Sequence, residues 1–193
     1  MPPEFNPSDD RLFSAALAVV LRHEGGFVDD PDDPGGATKF GISLRWLREA
    51  GELDLDGDGL PDGDIDLDGH IDLNDIAGLT QENAAWFYKA HWWDYHRYGD
   101  FPLLVSTKLL DLAVNMGARQ AHKCAQRAAR ACGSALADDG LLGPLSRAAL
   151  IETDAKQLRV AMRSEAAGFY RGLAAARPTS VKYLNGWLNR AYA

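Results

Sequence analysis

One glutamate, one aspartate and one threonine stand close together near the start of this 193-residue chain. Glu24 follows an apolar segment with helical spacing, and Asp33 and Thr38 come nine and then five residues later, in a run rich in Pro, Gly and Asp. Such a run forms tight turns, so it brings an acid and a hydroxyl back beside the acid that ends the helix. Glycoside hydrolysis needs two such groups, one to protonate the leaving oxygen and one to stabilise or attack the anomeric carbon. We therefore expect Glu24 to be a general acid, whereas Asp33 either assists it or only braces the turn.

Aromatic and amide side chains further along the chain are candidates for holding a sugar. Trp92 and Trp93 stand together after a helical segment, and with Phe27 they would raise the pKa of Glu24 by desolvation. We predict that one of the two Trp rings contacts substrate, although rings at this density also build cores. Asn115, in a largely apolar helical segment, either binds an N-acetyl group or is a satisfied structural amide.

Residues 52–75 form an acidic insert with ten Asp and Glu and no Lys or Arg, whereas the remainder carries 20 basic and 18 acidic residues. The run from Asp64 to Asp75 matches an EF-hand-type loop, with Gly69 at the sharp turn. An upstream copy begins at Asp54, but its twelfth position is Ile65, which has no side-chain oxygen. Two structural Ca²⁺ ions are therefore expected, and the alternative is a disordered acidic loop. The predicted ligands are Asp54, Asp56, Asp58, Leu60, Asp62, Asp64, Asp66, Asp68, His70, Asp72 and Asp75, with Leu60 and His70 acting through their carbonyls.

The bulk properties exclude several classes of protein. No apolar run is long enough to span a bilayer, and the acidic, proline-bearing start lacks the features of a secretory signal. We therefore expect the protein to be made in the cytoplasm and not to insert into a membrane. The net charge of −8 resides in the insert and offers no basic footprint for nucleic acid. Cys124 and Cys132 lie eight residues apart in one predicted helix, too far apart for a disulfide, so both are expected as packed thiols.

The elements that position these residues are mostly helices. The spacing of apolar residues predicts a helix ending near His23, a small irregular hairpin over 27–42, and a short helix over 44–50. Thr80 is expected to cap a helix that reaches about Trp93, and 103–116 to be a central buried helix. Helices near 118–132, 144–151, 154–175 and 180–190 complete a mainly α chain, and the helix leaving the acidic insert is expected from Ile76.

The ordered motifs of the chain resemble glycoside hydrolase family 108. They begin with Glu24-Gly-Gly-Phe, Asp30-Pro-Asp-Asp-Pro-Gly-Gly-Ala-Thr38 and Gly41-Ile. The later ones are Trp92-Trp-Asp, Asp100-Phe-Pro, Asp111-Leu-Ala-Val-Asn-Met-Gly117, Asp139-Gly with Gly143-Pro, and Asn185-Gly-Trp-Leu-Asn-Arg190. Phe27 replaces the usual Tyr, and the acidic insert is foreign to the family pattern.

The resemblance implies a lysozyme-like helical fold with a small β-hairpin, here carrying the calcium-loop insertion. It implies a catalytic lobe over 8–110, with 52–75 as its insert, and a helical peptidoglycan-binding lobe over 111–193 packed on it. By similarity to phage-type lysozymes, Asp33 and Thr38 would hold the attacking water. The implied partner is peptidoglycan, acted on by a monomer that a holin or a dedicated exporter releases to the cell wall.

Three functions follow from this comparison. The first is a muramidase that cleaves the β-1,4 bond between N-acetylmuramic acid and N-acetylglucosamine. The second is a non-catalytic wall-binding or secretion-assisting protein on the same scaffold, and the third is a lytic transglycosylase, which forms an anhydro product. Retention of Glu24 favours an enzyme.

Overall fold

The computed structural model describes residues 11–23, 26–29, 35–55 and 57–193. It is a mainly α, lysozyme-like fold with one small antiparallel sheet, as the sequence predicted. The contacts of the chain divide it into two compact units, one up to Tyr95 and one from His96 onwards. We call these the N-terminal and C-terminal units. The division precedes the predicted lobe boundary at 110/111, which helix α5, Leu103–Met116, crosses.

The N-terminal unit begins with helix α1, Arg11–His23, which buries Phe13, Ala16 and Val20 completely. Strands β1, Thr38–Lys39, and β2, Ile42–Ser43, form the hairpin, with Thr38 opposite Ser43 and Lys39 opposite Ile42. Helix α2 follows at Leu44–Ala50, where the side chain of Ser43 accepts a hydrogen bond from the N–H of Trp46. The predicted hairpin and short helix are both present.

The helix that leaves the insert, α3, spans Leu73–Gly78 and therefore begins three residues before the predicted start. The reason is local: Asp72 is an N-cap whose carboxylate accepts the N–H of Asn74, while Asp75 accepts the N–H of Asp72. Helix α4, Gln81–Tyr88, starts after Thr80 as expected, and a capping box with Asn83 fixes its start.

The last turn of the α4 segment is a π-helix over Lys89–Asp94. The Nζ of Lys89 contacts the carboxylate of Asp94 at 2.7 Å, so residues five apart face each other, as the wider turn requires. This turn sets the directions of Trp92 and Trp93, which the sequence had placed on an ordinary α-helix.

The C-terminal unit is a helical bundle around α5. A 3₁₀ turn at Tyr98–Asp100 precedes α5, and helices α6, Ala118–Ala131, and α8, Ala155–Ala176, pack against α5 and each other. Helix α7, Pro144–Glu152, packs on α6. A 3₁₀ segment over Pro178–Tyr183 leads to α9, Leu184–Tyr192, which lies along α8.

Two buried polar groups brace this bundle. The carboxylate of Asp111 lies between Lys108 Nζ at 3.0 Å and Arg190 Nε at 2.8 Å. His122 Nδ1 lies 3.0 Å from the Gly140 carbonyl oxygen and Nε2 lies 2.8 Å from the Tyr98 hydroxyl. Because a carbonyl can only accept, Nδ1 carries the proton and Nε2 accepts from the tyrosine. Burial lowers the pKa of His122 to about 4, so the ring is neutral near pH 7.

Candidate functional site

The hairpin fixes the position of the Thr38 hydroxyl. Thr38 and Val28 exchange two backbone hydrogen bonds, of 2.8 and 2.7 Å, so the strand is tied to the segment that follows α1. The Thr38 hydroxyl donates to the Gly36 carbonyl at 3.2 Å. Since that bond uses its only proton, the hydroxyl can meet a further group through its lone pairs alone.

Two of the predicted catalytic residues, Glu24 and Asp33, lie outside the described residues. Glu24 directly follows His23, the last residue of α1, and precedes Val28 by four residues. Phe27, expected to shield Glu24, leaves 45% of its surface exposed. The catalytic roles of Glu24, Asp33 and Thr38 stay predictions.

A two-residue turn holds the tip of the hairpin. Phe40 and Gly41 have φ values of 50° and 76°, the pair of positive angles that a tight hairpin turn uses. The Tyr88 hydroxyl of α4 donates to the Phe40 carbonyl, and Lys39 Nζ donates to the Ala77 carbonyl of α3 at 2.6 Å. The hairpin is therefore held both by the helix leading to the tryptophans and by the helix leaving the acidic insert.

Trp92 and Trp93 are both buried. Trp92 is 8% exposed and stacks on Trp46 with centroids 4.6 Å apart. Trp93 is 2% exposed and makes an edge-to-face contact with Phe13, with ring centroids 5.4 Å apart. Both rings thus stabilise the core of the N-terminal unit, and little of either surface is open to a sugar. Tyr95, at the end of the same turn, is 78% exposed.

The second loop of the insert gathers carboxylates around one point. Oxygen atoms of Asp64, Asp66 and Asp68 all lie within 4.8 Å of one another, and among the described residues this is the group of three or more His, Cys, Asp or Glu that is close enough to hold a metal ion. Oxygens that bind one Ca²⁺ at 2.3–2.6 Å have separations in this range. The pKa of Asp66 is raised, first by desolvation and then by the charges of Asp68 and Asp75. A bound cation would relieve this repulsion.

Asp75, the predicted last ligand of this loop, is completely buried. Its carboxylate accepts three backbone N–H groups, from Ile65 at 2.7 Å, Asp66 at 3.3 Å and Asp72 at 2.6 Å. These bonds draw the start and end of the loop together. One lone pair remains on the oxygen that meets Asp72, so the group also has an acceptor for a cation.

Short hydrogen bonds and one glycine turn shape the rest of the second loop. Asp64 accepts the N–H of Gly69 at 2.9 Å, and Asp68 accepts the N–H of His70 at 2.9 Å. Gly69 has φ of 88°, which supplies the predicted sharp turn. Outside the loop, Arg48 Nε donates to the Ile71 carbonyl at 2.9 Å, which attaches α2 to the insert.

The first loop is also closed by its own carboxylates. Asp54 accepts N–H groups from Gly57 and Gly59 at 2.7 and 3.0 Å, and Asp62, only 6% exposed, accepts from Leu55 at 2.9 Å. Two more predicted ligands, Asp58 and Leu60, are joined through a 3.0 Å bond from the Leu60 N–H. Asp56 lies outside the described residues.

A glycine pair at the base of the first loop had not been singled out from the sequence. A Cβ on Gly51 would lie 2.7 Å from the Gly63 Cα, and the Gly63 N–H donates to the Gly51 carbonyl at 2.9 Å. Only glycine permits two backbones to approach this closely. The sequence offered one signal for this contact, a glycine before the first loop at Gly51 and another directly after Asp62 at Gly63.

Asn115 lies in the C-terminal unit at the end of α5. It is exposed, and its side-chain oxygen accepts the Tyr170 hydroxyl at 2.6 Å. The structural and the substrate-binding roles are therefore compatible, because the tyrosine orients the amide and the NH₂ group keeps its two donors.

The comparisons agree with the fold and the motifs. The model of the glycosyl hydrolase 108 family matches residues 17–117, and the model of a predicted peptidoglycan domain matches residues 120–192. The chain therefore belongs to the glycosyl hydrolase 108 family. The structure of Brucella abortus SagA is similar, with a TM-score of 0.72 and 27% identity over 93% of this chain and 89% of that one. No curated protein sequence matches the chain.

Family membership defines the class of protein as a peptidoglycan hydrolase, a glycoside hydrolase that acts on the cell wall. Peptidoglycan is therefore its partner. None of the described helices is both long and apolar enough to cross a membrane.

Proposed function

We propose that this chain is a muramidase that cleaves the β-1,4 bond between N-acetylmuramic acid and N-acetylglucosamine, with Glu24 as general acid. The observation that carries the proposal is the Val28–Thr38 bridge, which returns the hairpin to the segment that begins with Glu24. The bridge pairs the strand that carries Thr38 with Val28, which follows Glu24 by four residues in the sequence.

In this mechanism Glu24 protonates the glycosidic oxygen as the bond to the anomeric carbon breaks. Asp33 and Thr38 hold the water that attacks that carbon. Because the Thr38 proton is donated to Gly36, its oxygen accepts a hydrogen bond from the water and so turns the water's lone pair towards the sugar. Asp33 accepts a hydrogen bond from the water's other proton and takes that proton as the new C–O bond forms, so the product keeps one hydrogen on its hydroxyl.

The sugar contacts follow from exposure. Trp92 and Trp93 are packed in the core of the N-terminal unit, and Tyr95 offers the exposed ring of this segment for stacking on a sugar face. Asn115 donates from its amide to an N-acetyl carbonyl elsewhere on the glycan, held in place by Tyr170.

We also propose that the insert binds two Ca²⁺ ions in a structural role. Asp64, Asp66 and Asp68 converge, His70 supplies its carbonyl, and Asp72 and Asp75 complete the second loop. The first loop uses Asp54, Asp56, Asp58, the Leu60 carbonyl and Asp62, and it is weaker because Ile65 cannot ligate. Hard oxygen ligands without His nitrogen or thiolate suit Ca²⁺.

The ions would act on catalysis through the hairpin. The Lys39–Ala77 bond joins β1, which carries Thr38, to the helix that leaves the second loop, and the Arg48–Ile71 bond joins α2 to the loop itself. An ordered insert therefore holds the hairpin at Lys39 and the helix that follows the hairpin at Arg48, whereas the ions stay away from the scissile bond.

Product analysis tests the reaction. Purified wall should lose turbidity with this protein, and mass spectrometry should find muropeptides with reducing N-acetylmuramic acid ends. Anhydro ends would instead show a lytic transglycosylase, and no soluble product would show a non-catalytic binding protein.

Calorimetry tests the metal sites. We expect one stronger and one weaker Ca²⁺ site, with the stronger one lost in Asp66→Ala and Asp68→Ala. A stronger site unaffected by these changes would overturn the ligand assignment.

A further inference from the structure

The turn at the tip of the hairpin contains a bulky residue in an unfavourable backbone conformation. Phe40 has φ of 50°, a left-handed value that is rare for a large side chain. Hairpin turns of this kind usually place Asn, Asp or Gly there, as the chain itself does at the next position with Gly41. A residue keeps such a conformation only when the contacts around it require it. The turn at Phe40 is therefore held from outside the hairpin.

Tyr88 makes such a contact from the last residue of helix α4. Its hydroxyl donates a hydrogen bond to the Phe40 carbonyl. The side chain is completely buried, and its ring makes an edge-to-face contact with Trp92, with ring centroids 5.6 Å apart. Because this packing fixes the ring, the hydroxyl is a stationary donor for the turn. A phenol with no exposed surface cannot reach a sugar, so its hydroxyl can affect hydrolysis only through the groups that it holds.

Lys39 reaches the same region from the solvent side. Its Nζ donates to the Ala77 carbonyl at 2.6 Å and lies 5.6 Å from the centroid of the Phe40 ring. This bond is exposed, whereas the Tyr88 side chain is enclosed, so water competes less for the tyrosine hydroxyl. The tyrosine is therefore the more persistent of these two contacts with the hairpin.

The turn controls the strand that carries Thr38. Thr38 pairs with Ser43 across the hairpin, and the turn that begins at Phe40, two residues after Thr38, closes this register. The type of turn fixes the register of a hairpin, and a shift by one residue would direct every side chain to the opposite face. A contact that fixes the turn therefore also fixes the direction of the Thr38 side chain.

We propose that Tyr88 is a positioning residue for hydrolysis, whose hydroxyl holds the turn at Phe40 and thereby keeps the Thr38 oxygen directed towards the attacking water. The inference rests on the proposed function, in which Thr38 accepts a hydrogen bond from that water. Tyr88 itself touches neither the water nor the sugar. A phenylalanine ring would fill the same space, so the hydroxyl is the group whose removal tests the role.

Steady-state kinetics of Tyr88→Phe on soluble peptidoglycan fragments test the proposal. The substitution keeps the ring and its contact with Trp92 and removes only the donor. The matched control is Tyr98→Phe in the C-terminal unit. Tyr98 is also completely buried, and the substitution removes the bond between its hydroxyl and His122 Nε2. The melting temperature of each variant is measured beside its activity.

We expect Tyr88→Phe to lower kcat by about three- to tenfold, a factor that corresponds to the loss of one hydrogen bond. KM should change by less than about twofold, because the hydroxyl does not contact the bound glycan. Tyr98→Phe should lower the melting temperature by a similar amount and leave kcat within about twofold of wild type. A merely structural role for Tyr88 would not separate kcat from stability in this way.

A double-mutant cycle tests whether Tyr88 acts through Thr38. Thr38→Ala has no hydroxyl to direct, so adding Tyr88→Phe to it should lower kcat by less than about twofold further. A full, additive loss in that background would overturn the proposal, because Tyr88 would then act on other groups. An unchanged kcat in Tyr88→Phe would overturn it as well, and so would an equal loss of kcat in Tyr98→Phe.

Failure of the proposed function gives a different result. If wild type releases no reducing ends from the fragments, the proposed function itself is refuted. If Thr38→Ala keeps the full kcat, the role of Thr38 fails, and the role of Tyr88 fails with it. Active wild type and impaired Thr38→Ala beside an unimpaired Tyr88→Phe would refute only this inference.

Discussion

Replacing Asp75 by Ala should destabilise the N-terminal unit even when no metal is present. The carboxylate is fully buried and accepts three backbone N–H groups, those of Ile65, Asp66 and Asp72. The variant leaves these three part-buried donors without their acceptor. Asp68 is the matched position, because it belongs to the same loop, is exposed, and accepts the N–H of His70.

The magnitude follows from the number of donors. A buried donor left without a partner costs about 1–3 kcal/mol, and since these three are only part-buried, the lower value applies to each and the sum is about 3 kcal/mol. Asp68→Ala in EDTA exposes one N–H to water and should cost less than about 1 kcal/mol. With Ca²⁺ added, Asp68→Ala should instead lose the stabilisation that the ion gives to wild type.

Urea denaturation followed by tryptophan fluorescence suits this comparison. Trp46, Trp86, Trp92 and Trp93 all lie in the N-terminal unit, and Trp187 alone lies in the other, so the signal reports mainly on the unit that contains the insert. If Asp75→Ala in EDTA is no less stable than Asp68→Ala, the carboxylate does not brace the loop. The three hydrogen bonds would then contribute nothing to folding.

Three further results are expected. Chelation of Ca²⁺ should lower the melting temperature of wild type by several degrees, since a ligand at a hundredfold excess over Kd stabilises the folded state by about 2.7 kcal/mol; an unchanged melting temperature would exclude a structural role. Asp33→Asn and Thr38→Ala should each reduce wall lysis while leaving the melting temperature unaltered, and full activity in both would require another base. The free energy of unfolding of the C-terminal unit should fall as the pH drops from 6.5 towards 4, by up to about 3 kcal/mol, because folding lowers the pKa of His122 to about 4 and protonation therefore favours the unfolded chain. Circular dichroism in urea at several pH values measures that loss, and a slope that persists in His122→Gln would assign it to other groups.

The helices were predictable where the apolar period was strong. Helices α2 and α5 have the predicted bounds because a Ser cap fixes the first and a long apolar run defines the second. The π-turn over Lys89–Asp94 was not predictable, since its hydrogen bonds differ little in local energy from those of an α-helix. Trp92 of this turn stacks on Trp46, which is 46 residues away in the sequence. Such a tertiary contact cannot be predicted from local sequence.

The candidate site divides in the same way. The EF-hand spacing predicted a set of metal ligands, of which Asp64, Asp66 and Asp68 lie close together, while the metal itself stays a prediction. Residue spacing could not reveal that the Asp75 carboxylate accepts backbone N–H groups, or that Gly51 and Gly63 are in contact. Both features depend on how the two loops of the insert close. Nor could it separate the buried Trp93 from the exposed Tyr95, two residues along the chain.

The most direct test of the central claim is wall lysis by Glu24→Gln beside wild type, at equal concentration and with matched melting curves. The amide keeps nearly the same size but cannot donate the proton that the leaving oxygen needs. We expect the rate of release of reducing N-acetylmuramic acid ends to fall by at least about two orders of magnitude, in line with the usual contribution of a general acid. A variant that folds normally and lyses wall at a rate near that of wild type would remove Glu24 from the mechanism.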